Sequence, residues 1–438
     1  MEKRRKSASL LPVGVFLVFY LGLGILFEYI MKIPMGFYNV PIVVAFLAAL
    51  LVACLQNRKV GFDEKLEIMG RGIGDKNIIT MLLIFLTAGT FVGVVGRSSA
   101  ESVAYFMLSI IPARFAVAVL FVVACFVSTA MGTSVGTITL LTPIAAAVSQ
   151  SSGFSLALCV ASVMGGSMFG DNLSFISDTT IAACNGQGCE MKDKFRENFL
   201  IVLPAAVVTI GIFFVLTSGQ DFQMEEELIY SIWKIIPYLV VLVGALIGVN
   251  VFLVLMTGTV LSLAVGVLSG EIAVSEMFQV LAQGPDGSGG IMGMYDITVI
   301  SIIVACIVSL VREMGGITFL LQMIKSRIKG KRGAELGIAG LAFLVDMCTA
   351  NNTVAIVMTG PIAKDISDEY GIEPRRSASL LDIFTSVGQG IIPYGAQLLS
   401  AASLTKLTPF EIMPYLYYPV LMALSAVLFI LFRKRKID

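Results

Sequence analysis

Apolar residues in this chain run in long blocks divided by short polar segments. Clear blocks cover 10–31, 77–96, 199–219, 291–311 and 412–432. Each is long enough for a helix that crosses a bilayer, which takes about 20 residues. Residues 229–267 read as two further spans joined by a short turn. No polar stretch is large enough for a separate soluble domain. The pattern predicts an all-α polytopic membrane protein. A basic run followed by an apolar segment also describes a signal peptide. The first block is longer than such a segment and has no obvious small-residue cleavage site, so it reads as the first span.

Composition agrees. Of 438 residues, 57% are hydrophobic and only 14% charged, with a mean hydropathy of +0.91; soluble domains carry about 25% charged residues. Thirty basic and thirty acidic residues cancel, so net charge is silent on partners, and no nucleic-acid partner is expected. Placement says more. Basic residues gather at Lys3–Lys6, Arg58–Arg71, Lys325–Arg332 and Arg433–Lys436. The positive-inside rule puts these on the cytoplasmic side. The acidic loop with Asp221 and Glu225–Glu227 then falls outside. A multi-pass protein of the cytoplasmic membrane with both termini inside is expected. The chain has no His, which removes the usual metal ligand and the usual switch near neutral pH. The seven Cys read as small apolar filler.

The chain repeats itself. "TSVGTITLLTPIAAAVS" (133–149) lies on "NNTVAIVMTGPIAKDIS" (351–367), with Pro143 on Pro361, an offset of 218. The same offset puts Ile79-Thr80 on Ile297-Thr298 and Tyr20-Leu21 on Tyr238-Leu239. After a small insertion, Ser167 is expected on Ser386 and Phe175 on Tyr394. One copy starts on the cytoplasmic side and the other outside, so two inverted-topology halves are expected, 1–219 and 228–438. Inverted repeats with binding sites on broken helices near the midplane typify secondary transporters.

Polar segments interrupt the apolar pattern at matched places: "STAMGTSVGT" (128–137), "GDNLSFISDTT" (170–180), "DMCTANNT" (346–353) and "SVGQGIIPYGAQ" (386–397). At membrane depth, unwound backbone is tolerated only if buried in protein or lining a watery cavity. Broken or re-entrant helices near the midplane are therefore expected there. The candidate ion- or substrate-binding residues are Thr133, Ser134, Asp171, Asn172, Ser174, Ser177, Asp178, Thr179, Thr180, Asp346, Asn351, Asn352, Thr353 and Gln389. Asp171 and Asp178 are the candidate Na⁺ ligands, expected to face the interior near the break at 131–136. Asn351, Asn352 and Thr353 are expected opposite them. Asp346 reads equally as a second titrating group or a helix-end cap. The structural readings are plain: Asp178 as an N-cap, Ser and Thr bonded back to their own helices, Asn351-Asn352 as a turn. Against them, intramembrane carboxylates are costly and mark ion or proton pathways. A hard cation wants carboxylate, hydroxyl, amide and carbonyl oxygens. Taking a carboxylate out of water disfavours its charged form, which lets one group trade H⁺ for Na⁺.

"TAMGTSVGT" and "FGDNLSFISDTT", followed by "MKDKFREN", resemble the signatures of the NhaC-type sodium/proton antiporter family. That family reads roughly T-G-T-S-W-G-T and F-G-D-x-x-S-P-I-S-D-T-T. Here Val135 replaces the Trp and Phe175 replaces the Pro, which weakens the expectation of a backbone break there. The resemblance covers most of the chain. It implies the ion-transporter superfamily fold and sodium or proton coupling, with Na⁺ and H⁺ as partners and no resident cofactor. Members move different cargo: sodium against protons, malate against lactate, or amino acids with sodium.

A sodium/proton antiporter is thus the leading reading. A sodium- or proton-coupled carrier of an amino acid or small carboxylate is the alternative, and a small organic substrate and a homodimer stay open. No Lys or Arg lies inside the four segments to meet an organic carboxylate. Asp171 and Asp346 as an intramembrane aspartyl protease pair fit the repeat less well, and an enzyme is not expected. "GPDGSGG" (284–290) lacks the Lys and Ser or Thr of a phosphate loop and reads as a connector.

Overall fold

A computed structural model describes residues 8–32, 40–175, 177–218, 230–247, 249–284, 289–326 and 328–432. The terminal basic runs, the acidic loop at 221–227, Arg327 and the centre of the 284–290 connector lie outside the described residues. The described residues form helices and no strand. The first five are α1 (Leu11–Ile25, prolonged by a π-helical turn, Leu26–Ile30), α2 (Ile42–Leu55), α3 (Phe62–Ile73), α4 (Lys76–Ile110) and α5 (Ala116–Met131). Then come α6 (Ser134–Ser152), α7 (Leu156–Leu173), α8 (Asp178–Gln187), α9 (Met191–Ser218), α10 (Ile232–Leu246) and α11 (Val251–Leu268). The second half continues with α12 (Met277–Gln283), α13 (Tyr295–Glu313), α14 (Gly316–Lys325), α15 (Gly330–Thr349) and α16 (Asn352–Tyr370). It ends with α17 (Pro374–Ile391), α18 (Ala396–Thr405), α19 (Pro409–Ile412) and α20 (Tyr417–Phe432).

Among the described residues, six helical stretches are long and apolar enough to cross a membrane alone, including Ile78–Val95, Met191–Ser218 and Met292–Glu313. These match the expected blocks at 77–96, 199–219 and 291–311. Residues 229–267 form two helices, α10 and α11, as expected. The block at 412–432 is bent by 52° between Tyr415 and Tyr417. The apolar blocks named above leave out α5, α6, α7, α16 and α17, among others; Gly, Ser, Thr and Asn dilute all of these but α5.

These diluted helices hold the centre of the molecule. α7 packs along α5 and α17 along α15. Glycine makes the first crossing possible: a Cβ on Gly166 would lie 2.2 Å from the Phe121 carbonyl oxygen, and one on Gly170 would lie 2.4 Å from that of Cys125. Close backbone approach through small residues is how helices pack where lipid supplies no hydrophobic drive.

The helix bounds repeat at the offset that lays Pro143 on Pro361. The first and last residues of α6, α7 and α8 map by it onto those of α16, α17 and α18, and the end of α5 maps onto the end of α15. The insertion expected before Ser386 is absent from this register. Asp171 therefore falls on Gln389, and Phe175 on Pro393. The turns match too. A left-handed residue ends α5 and α15, Gly132 (φ 67°) and Ala350 (φ 48°). Thr133 then caps α6 by accepting from Gly136 N, and Asn351 caps α16 by accepting from Val354 N. The halves exchange their short helices: α8 packs on α16 and α17, and α18 packs on α6.

Candidate functional site

α7 ends at Leu173, and the chain is extended at Ser174 and Ser177 before α8 begins. The break forms without the family's proline. Ser177 Oγ donates to Asp171 Oδ1 at 2.6 Å and shares a 2.9 Å hydroxyl contact with Thr179. Phe175 points outward and stacks on Phe195. In the second half, Pro393 bars a helical conformation at Ile392, and the chain is extended at Ile392 and again at Gly395 before α18. α8 and α18 have ten residues each, roughly 15 Å of helix against a hydrocarbon core of about 30 Å. They are half-length helices, as expected of broken segments.

Asp171 sits at this break, 4% exposed. The Ser134 hydroxyl, at the start of α6, also reaches its carboxylate. Ser134 Oγ in turn accepts from Gln397 Nε2 of α18 at 2.9 Å, while the buried Gln397 Oε1 has no hydrogen-bond partner. Ser134 of the first half thus lies between the Asp171 carboxylate and the Gln397 amide of the second. Gln397 is the repeat mate of Thr179 and lies inside a segment the sequence flagged, yet it was not among the candidates. Glutamine near the start of a helix carries no signal of its own.

Behind Asp171 lies a charged layer. The Asn172 carbonyl, at the C-terminal end of α7, accepts from Lys194 Nζ (2.9 Å) and Asn198 Nδ2 (2.8 Å). Lys194 Nζ also donates to Thr180 Oγ1 (2.7 Å) and pairs with Asp382 Oδ2 at 2.6 Å, each side chain 1% exposed. Asn198 bridges Asp382 and Ser379 on α17. The Asn172 amide donates to Met168 O and Ser386 Oγ. Lys194 and Asn198, four apart, face inward from one stripe of α9. The segment "MKDKFREN" does not announce this pair, because Lys and Asn in a charged helix start look like a solvated entry to a span.

The other candidates divide. Asn172, Ser174, Ser177, Thr179, Thr180, Asp346 and Gln389 are buried, and Thr133, Asn351, Asn352 and Thr353 half-buried. Asp178 departs from the expectation of an interior carboxylate. It is exposed, as the first residue of α8, where an acidic group is favoured near the positive end of a helix. Asn351 serves as a cap, and Asn352 Oδ1 accepts from Thr353 N. Among the described residues no hydrogen bond joins Asn351, Asn352 or Thr353 to Asp171 or Asp178. The second half comes to Ser134, beside Asp171, through Gln397 instead.

A crevice of about 410 Å³ opens beside Arg71, Asp75, Arg312 and Glu313 and reaches Thr349 and Asn351. Beyond it, a chamber of about 20 Å³ is lined by Thr349, Asn351, Tyr394 and Ala396.

Apolar spans around interrupted helices with buried carboxylate, hydroxyl and amide groups fit a multi-pass membrane transport protein. The family model for the Na⁺/H⁺ antiporter family matches residues 9–219 and 221–434, and the chain belongs to that family. It is 22% identical over 438 residues to the malate-2H⁺/Na⁺-lactate antiporter of Bacillus subtilis, covering 93% of this chain and 90% of that protein. It is 22% identical over 420 residues to the Na⁺/H⁺ antiporter NhaC of Alkalihalophilus pseudofirmus, covering 89% of each. To the arginine/ornithine antiporter ArcD of Halobacterium salinarum it is 20% identical over 329 residues, covering 69% of this chain and 68% of that one.

Proposed function

We propose that this protein exchanges Na⁺ for H⁺ across the cytoplasmic membrane, with Na⁺ held at the α7–α8 break. The observation that carries the reading is Asp171, buried beside the Ser177 and Ser134 hydroxyls, with Thr179 bonded to Ser177 and the Gln397 amide bonded to Ser134. That is an all-oxygen donor set with a single carboxylate, the chemistry a monovalent hard cation takes. Asp178, exposed at the start of α8, acts as the entrance group that draws the cation in. The two halves are inverted repeats whose exchanged short helices bring both to one site, and the site is exposed to each side in turn. The crevice at Arg71 and Arg312 is the cytoplasmic approach, on the side of the basic loops.

Lys194 bears on the cargo. It is paired with Asp382 and holds the Asn172 carbonyl, so it is not free to receive an organic carboxylate. A second reading rests on the crevice, where Arg71 and Arg312 face Asp75 and Glu313; a small carboxylate or amino acid fits that chemistry. Purified protein in liposomes separates the two. Sodium uptake with opposite proton movement and no added solute supports exchange of the ions alone. Sodium movement that appears only with an amino acid or carboxylate from a panel supports the second reading.

A further inference from the structure

The two halves place their carboxylates differently on the same frame. In the first half, Ser128 of α5 faces Gly170 of α7, and its hydroxyl is satisfied by the Ser167 carbonyl at 2.6 Å. Their repeat mates are Asp346 of α15 and Gly388 of α17, where a Cβ on Gly388 would lie 2.5 Å from Asp346 Oδ2. The crossing is the same, but a carboxylate replaces the hydroxyl. Conversely, Asp171 of the first half corresponds to Gln389, whose Oε1 has no partner. Each half therefore keeps one buried carboxylate at its break, on opposite members of the helix pair.

Asp346 is 0% exposed, and neither of its side-chain oxygens has a hydrogen-bond partner. Its side chain caps nothing; its backbone carbonyl accepts from Ala350 N at 2.7 Å and Thr349 Oγ1 at 3.4 Å. Val345, Leu341 and Ala342 around it are fully buried. Of the titratable groups, Cys348 on its own helix and Tyr394 after α17 lie near it. On α17, Asp382 is engaged by Lys194 and Arg376 by Glu197 and Glu335. Among the described residues, α13, α14, α16 and α20 bring no charged group to it. A bare carboxylate in such a place is very costly. It holds a proton or a cation, and among the described residues no cluster of acidic or cysteine side chains stands there to hold a metal ion. One helical turn away, Thr349 floors the crevice, and Tyr394, which lines the chamber beyond, donates to the Met347 carbonyl at 2.6 Å.

We propose that Asp346 is a proton-binding site separate from the Na⁺ site at Asp171. Its carboxylate takes a proton from water at the crevice to form the neutral acid, and returns that proton to water when the site faces the other side. The proposal rests on Na⁺ binding at Asp171 and adds a second, proton-only position in the other half.

The test uses the full chain in liposomes, with Asp346→Asn and Asp171→Asn. Two readings are taken: exchange of labelled Na⁺ for unlabelled Na⁺ without a gradient, and proton movement driven by a Na⁺ gradient. Asp346→Asn is expected to keep Na⁺/Na⁺ exchange and lose Na⁺-driven proton movement, while Asp171→Asn loses both. If Asp346→Asn keeps proton movement, or loses Na⁺/Na⁺ exchange while folded, the proposal is overturned. If that variant does not fold, Asp346→Ser, the residue used at the matching crossing, replaces it with the same outcomes. A wild type that moves no protons against Na⁺ overturns the exchange reading itself, and the proposal with it.

Discussion

Asp171 and Asp178 share one short segment and behave differently. Asp171 is buried beside the Ser177 and Ser134 hydroxyls, and a charge there has few ways to be satisfied except by a cation or proton. Asp178 is exposed at the first turn of α8. Replacing Asp171 by Asn keeps the volume and removes the charge, so Na⁺-dependent exchange should be abolished while the protein still folds. Asp178→Asn should cost only the helix-end interaction, about 0.3–1 kcal/mol. It should raise the Na⁺ concentration for half-maximal exchange with little loss of maximal rate. Abolished exchange in Asp178→Asn, with Asp171→Asn still active, would invert the assignment. Asp171 was legible in the sequence because a carboxylate after glycine, deep between apolar runs, has few structural uses. The difference in exposure was not, since it depends on which way the chain turns between Ser174 and Ser177.

At the scale of single helices, the breaks were legible and their fastening was not. "DNLSFISD" and "IIPYGAQ" both announce unwound backbone through serines or proline. Lys194 and Asp382 belong to different halves of the sequence, and nothing local links them. Their pairing nevertheless ties α9 to α17 across the halves. Removing one partner of a buried pair leaves an uncompensated charge, typically at about 3–5 kcal/mol. Lys194→Met should therefore lower the unfolding temperature in detergent markedly, and adding Asp382→Leu should restore much of it. A single variant as stable as the wild type would show the pair to be dispensable. The α5–α7 crossing is equally intolerant of volume. Gly166→Ala places a Cβ 2.2 Å from a carbonyl oxygen, and overpacking of this kind costs typically about 1–3 kcal/mol. Thermal unfolding of that variant checks it.

For the whole molecule, the repeat was legible from one offset, because matching Pro143 and Pro361 anchored it. The small insertion was an error of register. Short identities such as Ser167 with Ser386 weigh more by eye than a run of matched helix ends. Inversion is a claim about sides of the membrane and has its own test. Gln150 and Asp368 are repeat mates, both exposed near the ends of α6 and α16. Asp368 lies just before Gly371, whose carbonyl accepts from Lys331 Nζ, within the basic loop assigned to the cytoplasm. Single cysteines at 150 and 368 should react with a membrane-impermeant thiol reagent from opposite sides. Labelling from the same side would exclude inverted halves and leave a parallel duplication.

The central claim, Na⁺/H⁺ exchange through Asp171, is tested most directly in liposomes holding purified protein and a pH-sensitive dye, with no organic solute present. An outward Na⁺ gradient should acidify the interior with the wild type and leave it unchanged with Asp171→Asn. Equal acidification by the variant, or a wild type that moves Na⁺ without any pH change, would contradict the account.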